Sequence, residues 1–189
     1  MKKIFKFSKI NLSNFAFLKI IFLFFLLPNI LLSNDVEIIF GLSYPSLRSF
    51  DDNDIFLNTL ETSWKYVGIK AYYLLYKNLA TEIRYSFISR NVTNICLREY
   101  VDILFIGKSK LFTGIETSYI SFNEKDLKGH GYEYGIFWGN EYFLTRYIVL
   151  SLDLAYIFIT LNDLIYDKIF LEDGFVINFG FSLYFSSKG

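Results

Sequence analysis

Several residue types that carry chemistry in other proteins are nearly missing from this sequence. One cysteine, Cys96, and one histidine, His130, occur in 189 residues. A single cysteine rules out an intrachain disulfide. A single histidine rules out a His-rich metal site and leaves only a carboxylate-built cation site open. Cys96 does not follow the N-terminal apolar run, so it is not placed as a lipoprotein anchor; it reads as a lone thiol in a loop. An excess of one charge is missing too. Nineteen basic residues balance nineteen acidic ones, and nucleic-acid binding, which needs a basic surplus, is not expected. No dinucleotide, Walker, zinc or G-x-S-x-G pattern occurs, so no cofactor and no metal is expected. After Asp35 no apolar run is long enough for a membrane-spanning helix.

What is present is apolar and aromatic. Aromatic residues make up 21% of the chain, too many for a disordered one. The N-terminus reads MKKIFKFSK, then an apolar run from Ile20 to Leu27, then Pro28 and Ile30–Leu32. Basic residues followed by a short apolar run are the order of a secretory signal. Residues 1–33 are therefore expected to be a signal peptide cleaved near Ser33 or Asn34, with 34–189 as one domain. An uncleaved anchor is the competing reading.

Eight segments with period-two alternation follow, the mark of strands. The last, DGFVINFGFSLYF, sets Phe175, Ile177, Phe179, Phe181, Leu183 and Phe185 against small and polar residues. VEIIFGLSY sets Val36, Ile38, Phe40, Leu42 and Tyr44 against Glu37, Gly41 and Ser43. The others run from about Trp64 to Tyr76, through ATEIRYSFISR, REYVDILFIG, LFTGIETSYI and GYEYGIFWG, and from Tyr147 to Phe158. Connections read as alternately long and short. Pro45–Glu61, Asn123–His130 and Leu161–Glu172 are long, Asn91–Cys96 is medium, and turns fall near Lys77-Asn78 and Gly107–Lys110. The connection within Asn140–Arg146 has no clear ends.

Alternation alone does not separate a soluble sandwich from a membrane barrel. Three features favour lipid on the apolar face. That face is bulky nearly everywhere, whereas facing sheets need large and small residues to interleave. Its rings gather toward strand ends, as in interfacial girdles. The opposite face carries Gly41, Gly68, Gly114, Gly135 and Gly180, which suits a crowded interior.

With the signal, the eight segments and the closing FGFSLYF, the chain resembles the small bacterial outer-membrane β-barrels of the OmpA/OmpX type. The resemblance spans about Asp35 to Phe185 and implies an all-β, eight-stranded antiparallel up-and-down transmembrane barrel. It also implies a bacterial outer-membrane location with both termini periplasmic. Phe185 would be the aromatic residue read by the barrel-assembly machinery. Four further residues, Ser186–Gly189, depart from a strictly terminal Phe.

The inward positions then hold Glu37, Glu82, Asp102, Glu116, Glu133 and Asp153, against the central bases Lys70 and Arg84. Arg90 and Arg98 read as nearer the loops. Buried charges must pair or be neutralised, so a salt-bridge network filling the barrel is expected, with Arg84 as hub because Glu82 shares its face. The surplus of acids leaves room for protonated carboxylates or lumenal cations. His130, Ser121 and Asp126 are the candidates for lipid-modifying catalysis, but nothing in NEKDLKGH forces the geometry, and the reading is non-enzymatic. Expected partners are outer-membrane lipids, the assembly machinery and an extracellular ligand of the long loops, the protein being a monomer. Surface adhesion or envelope structure leads; a small or gated pore is the alternative.

Overall fold

The computed structural model describes residues 35–49, 63–73, 76–89, 91–123, 128–165 and 168–186. The expected signal peptide, Arg90, Asp126 and most of the Pro45–Glu61 loop lie outside them. The described chain is eight strands: β1 (Asp35–Ser49), β2 (Trp64–Tyr72), β3 (Leu79–Ser89), β4 (Val92–Ile106), β5 (Ser109–Asn123), β6 (Lys128–Phe143), β7 (Ile148–Asp163) and β8 (Lys168–Ser186). Each pairs antiparallel with the next, and β8 closes on β1.

Which face turns inward answers the question that alternation leaves open. Glu37, Lys70, Glu82 and Arg98 have no exposed surface, while Phe175, Ile177 and Phe179 are about half exposed, at 51%, 47% and 49%. Charge lies inside and hydrocarbon outside, the reverse of a soluble domain. Water would penalise that wall at roughly 25 cal/mol per Å² of apolar surface, whereas acyl chains would not. Closure also pairs the backbone edges that hydrocarbon could not solvate.

The register fixes the shape. Stepping across ladder partners from Val36 passes Ala71, Thr81, Glu99, Ile115, Ile136, Tyr156 and Phe175 and returns to β1 at Ser46. The circuit arrives ten residues further along β1. For eight strands with the usual spacings, that stagger means a tilt of roughly 40° and an interior that side chains fill.

Several boundaries differ from the sequence expectations. β4 begins at Val92, so Asn91–Cys96 is not a loop, and Cys96 is buried on the inner face. Arg98 is consequently central rather than near a loop. β6 runs on to Phe143, which confines the unclear connection to residues 144–147. β7 and β8 extend through most of Leu161–Glu172, leaving 164–167 between them. β6 starts at Lys128, so His130 belongs to a strand. Loop lengths therefore do not alternate as read: between the described strands from β2 onward, every connection is six residues or fewer. Periodicity fades at strand ends beyond the apolar belt, where inward and outward residues are both polar or both apolar.

Candidate functional site: the charged lumen

Strand pleat and register place the inward charges together. Glu37, Lys70, Glu82, Arg98 and Glu116 are successive ladder partners from β1 to β5. Their signs alternate, so neighbouring strands are joined by opposite charges on the inner face.

Around this row the charges form two clusters. The first lies toward the end of the barrel where β1 starts and β8 finishes. Lys70 Nζ is 2.6 Å from Glu141 and 3.8 Å from Glu37. Lys110 Nζ is 2.6 Å from Glu141 and 3.4 Å from Asp102. Lys110 also donates to Tyr72, whose hydroxyl donates to Glu37 at 2.9 Å. Three carboxylates thus face two lysines.

The second cluster has the same count and a different geometry. Arg98 donates from Nη1 and Nη2 to the two oxygens of Asp153, at 3.1 and 3.0 Å, and its Nε lies 2.8 Å from Glu116. Arg84 pairs with Glu82 and lies 3.6 Å from Asp153. Tyr100 donates to Glu82, and Asn178 donates to Asp153 at 2.5 Å. Three carboxylates face two arginines, but here Asp153 is gripped by a planar fork.

Aromatic rings separate the clusters. Tyr100, Phe112 and Phe137 pack with centroids 5.0, 4.9 and 6.1 Å apart. Lys70 caps the Tyr100 ring at 4.5 Å and Arg98 the Phe137 ring at 3.6 Å, so rings and cations pack as one body. Tyr66 lies under Arg84, 4.3 Å from its guanidinium carbon. Room for that ring comes from Gly41 and Gly180, ladder partners at which an added Cβ would run into the Tyr66 side chain. Beyond Arg84 and Arg98, toward the end where β7 and β8 join, the interior gains an apolar layer of Ile120, Phe122, Ile157, Ile159 and Leu161, with Glu133, Asp163 and Glu172 also buried at that end.

The network residues expected from sequence are all inward and buried. Glu133 stands apart: it accepts a bond from Asn94 at 3.3 Å and forms no ion pair among the described residues. Ser121 and His130 are ladder partners on the outer face, where His130 stacks on Tyr119 at 6.0 Å. Asp126 lies outside the described residues, so no triad can be traced.

No protein-family model matches the chain, and no curated protein matches it in sequence. Solved structures do match it in fold. Neisserial surface protein A is 12% identical with a TM-score of 0.55, covering 78% of this chain and 96% of its own. Pseudomonas aeruginosa OprG is 13% identical with a TM-score of 0.52, covering 82% of this chain and 97% of its own. The N-terminal β-barrel domain of OprF from the same organism is 14% identical with a TM-score of 0.51, covering 81% and 98%. This chain has the fold of the small eight-stranded outer-membrane barrels.

Within that barrel, sequence reasoning set Arg98 too near the loops and missed Lys110, Glu141, Tyr72 and Tyr100 as lumen residues. Lys110 and Glu141, which are ladder partners, hid in stretches read as a turn and an unclear connection. Glu99 was missed on the outer wall, although it shares parity with Leu97 and Val101 and that parity was readable.

Proposed function

We propose that the protein is a non-enzymatic integral barrel of the bacterial outer membrane, with a lumen sealed by side chains and recognition carried at its outer end. One observation supports this above the rest: an exposed hydrocarbon wall encloses a buried, ion-paired interior. In this reading both termini are periplasmic, and Phe185, exposed on the outer face near the end of β8, serves the assembly machinery. Leu164, Ile165, Ile169 and Leu171 are exposed at the opposite end and form an apolar contact surface for an extracellular partner. The protein then serves in adhesion or envelope structure.

A narrow or gated ion path is the second reading. It draws on the one-carboxylate surplus in each lumen cluster and on a polar track from Lys110 to Glu116. Rings and the apolar layer interrupt that track, so conduction would require them to move. Planar-bilayer recording tests the choice together with protease treatment of intact cells. Silence at all voltages with cleavage between β7 and β8 is the expected result. Steady unit conductance would favour the pore, and cleavage confined to opened cells would reverse the orientation.

A further inference from the structure

Among the described residues, Glu99 is the one acid set within the apolar belt of the outer wall. Leu97 and Val101 flank it on the same face of β4, and Thr81 and Ile115 are its ladder partners. The other outward acid, Asp173, lies past Phe175 at the far rim and accepts from Tyr156.

Glu99 is held by hydroxyls, not by a cation. Thr81 Oγ1 is 3.0 Å from both carboxylate oxygens, Tyr73 donates to Oε2 at 3.2 Å, and the two hydroxyls are 3.1 Å apart. Two hydroxyl protons serve these four contacts, so acceptor capacity on the carboxylate stays open. An ionised group on a lipid-facing wall is expensive unless paired. Tyr73 directly follows β2, and its N–H donates to the Leu79 carbonyl across the turn into β3. The carboxylate is thereby tied toward the rim that carries the β1 and β8 ends. Lys77 and Asn78 are exposed in that same turn.

We propose that Glu99, Thr81 and Tyr73 form a lipid-facing site for the primary ammonium of an aminophospholipid headgroup, with Lys77 facing its phosphate. This rests on the membrane reading above; the orientation proposed there makes the leaflet the periplasmic one. Charge complementarity identifies the ligand. Among the described residues the wall offers an anion without a counter-ion, and the rim offers a cation nearby. A primary ammonium supplies three donors to the open carboxylate lone pairs, whereas a quaternary choline supplies none.

The test uses the full mature barrel in vesicles of equal phosphatidylethanolamine and phosphatidylcholine with identical acyl chains, followed by native mass spectrometry of retained lipid. The ethanolamine lipid should be retained in preference to choline by roughly tenfold, the scale of one charged hydrogen bond. N-methyl and N,N-dimethyl ethanolamine lipids should fall between, a series that needs no variant to fold. Glu99→Gln should abolish the preference, and Lys77→Gln should lower retention of both headgroups alike. Equal retention of both headgroups by the unaltered protein would overturn the site, as would a preference that survives Glu99→Gln. Disulfide dimers of Glu99→Cys formed in the membrane would assign the face to a second copy instead. A water-soluble monomer that retains no lipid at all would defeat the membrane reading itself, a result distinct from the others.

Discussion

The two lumen clusters hold the same charges in number and differ in how they are held. The lysine cluster shares Glu141 between two flexible ammonium groups. The arginine cluster fixes Asp153 by two parallel bonds from Arg98 and adds Arg84 and Asn178 around it, while Tyr100 accepts from Arg98 and donates to Glu82. A shared carboxylate keeps one partner when the other is lost. The forked arrangement has less reserve, because Arg98 is the one ion-pair partner of Glu116 among the described residues, and without it Asp153 keeps only Arg84, at 3.6 Å, and Asn178. Geometry, rather than charge count, should therefore set how each cluster responds to damage.

The largest effect is expected for Arg98→Ala. It strands buried Glu116 and strips Asp153 of its fork, and loss of one partner of a buried pair costs about 3–5 kcal/mol. Urea unfolding from lipid vesicles, followed by the gel mobility of the folded band, measures it. Lys70→Ala should cost less, about 2 kcal/mol, because Glu141 keeps Lys110 and Glu37 keeps Tyr72. Equal losses for the two variants would erase the distinction between the clusters. Arg98→Lys sharpens it further. Charge is retained and the fork is lost, so about 1.5 kcal/mol should go; a variant as stable as the parent would mean that charge alone matters. Thr117→Val on the exposed outer face sets the baseline, with a change within about 0.5 kcal/mol in the same assay. A larger shift there would show that the wall, and not only the lumen, governs stability.

Fold class was legible because each strand declares its two faces locally. Phe175, Phe179 and Phe181 mark the outside of β8 without reference to any other strand. The partnerships inside were not legible. Glu82 pairs across the ladder with Lys70 on one side and Arg98 on the other, and that depends on register, which no single segment contains. Reading Glu82 with Arg84, two positions away, found a genuine contact but missed the strand neighbour that fixes Asp153. Cys96 and His130 were misplaced for a related reason. Polar residues on both faces near the strand ends removed the alternation that would have kept them in β4 and β6.

The first strand closes on the last over fifteen consecutive ladder positions, from Asp35 opposite Ser186 to Ser49 opposite Glu172. That seam joins the most distant parts of the described chain. Until β8 arrives, the growing sheet has two raw margins that acyl chains cannot satisfy. On the proposed membrane reading, that seam is the last to be made, and closing it carries the loop-closure cost of the whole described chain.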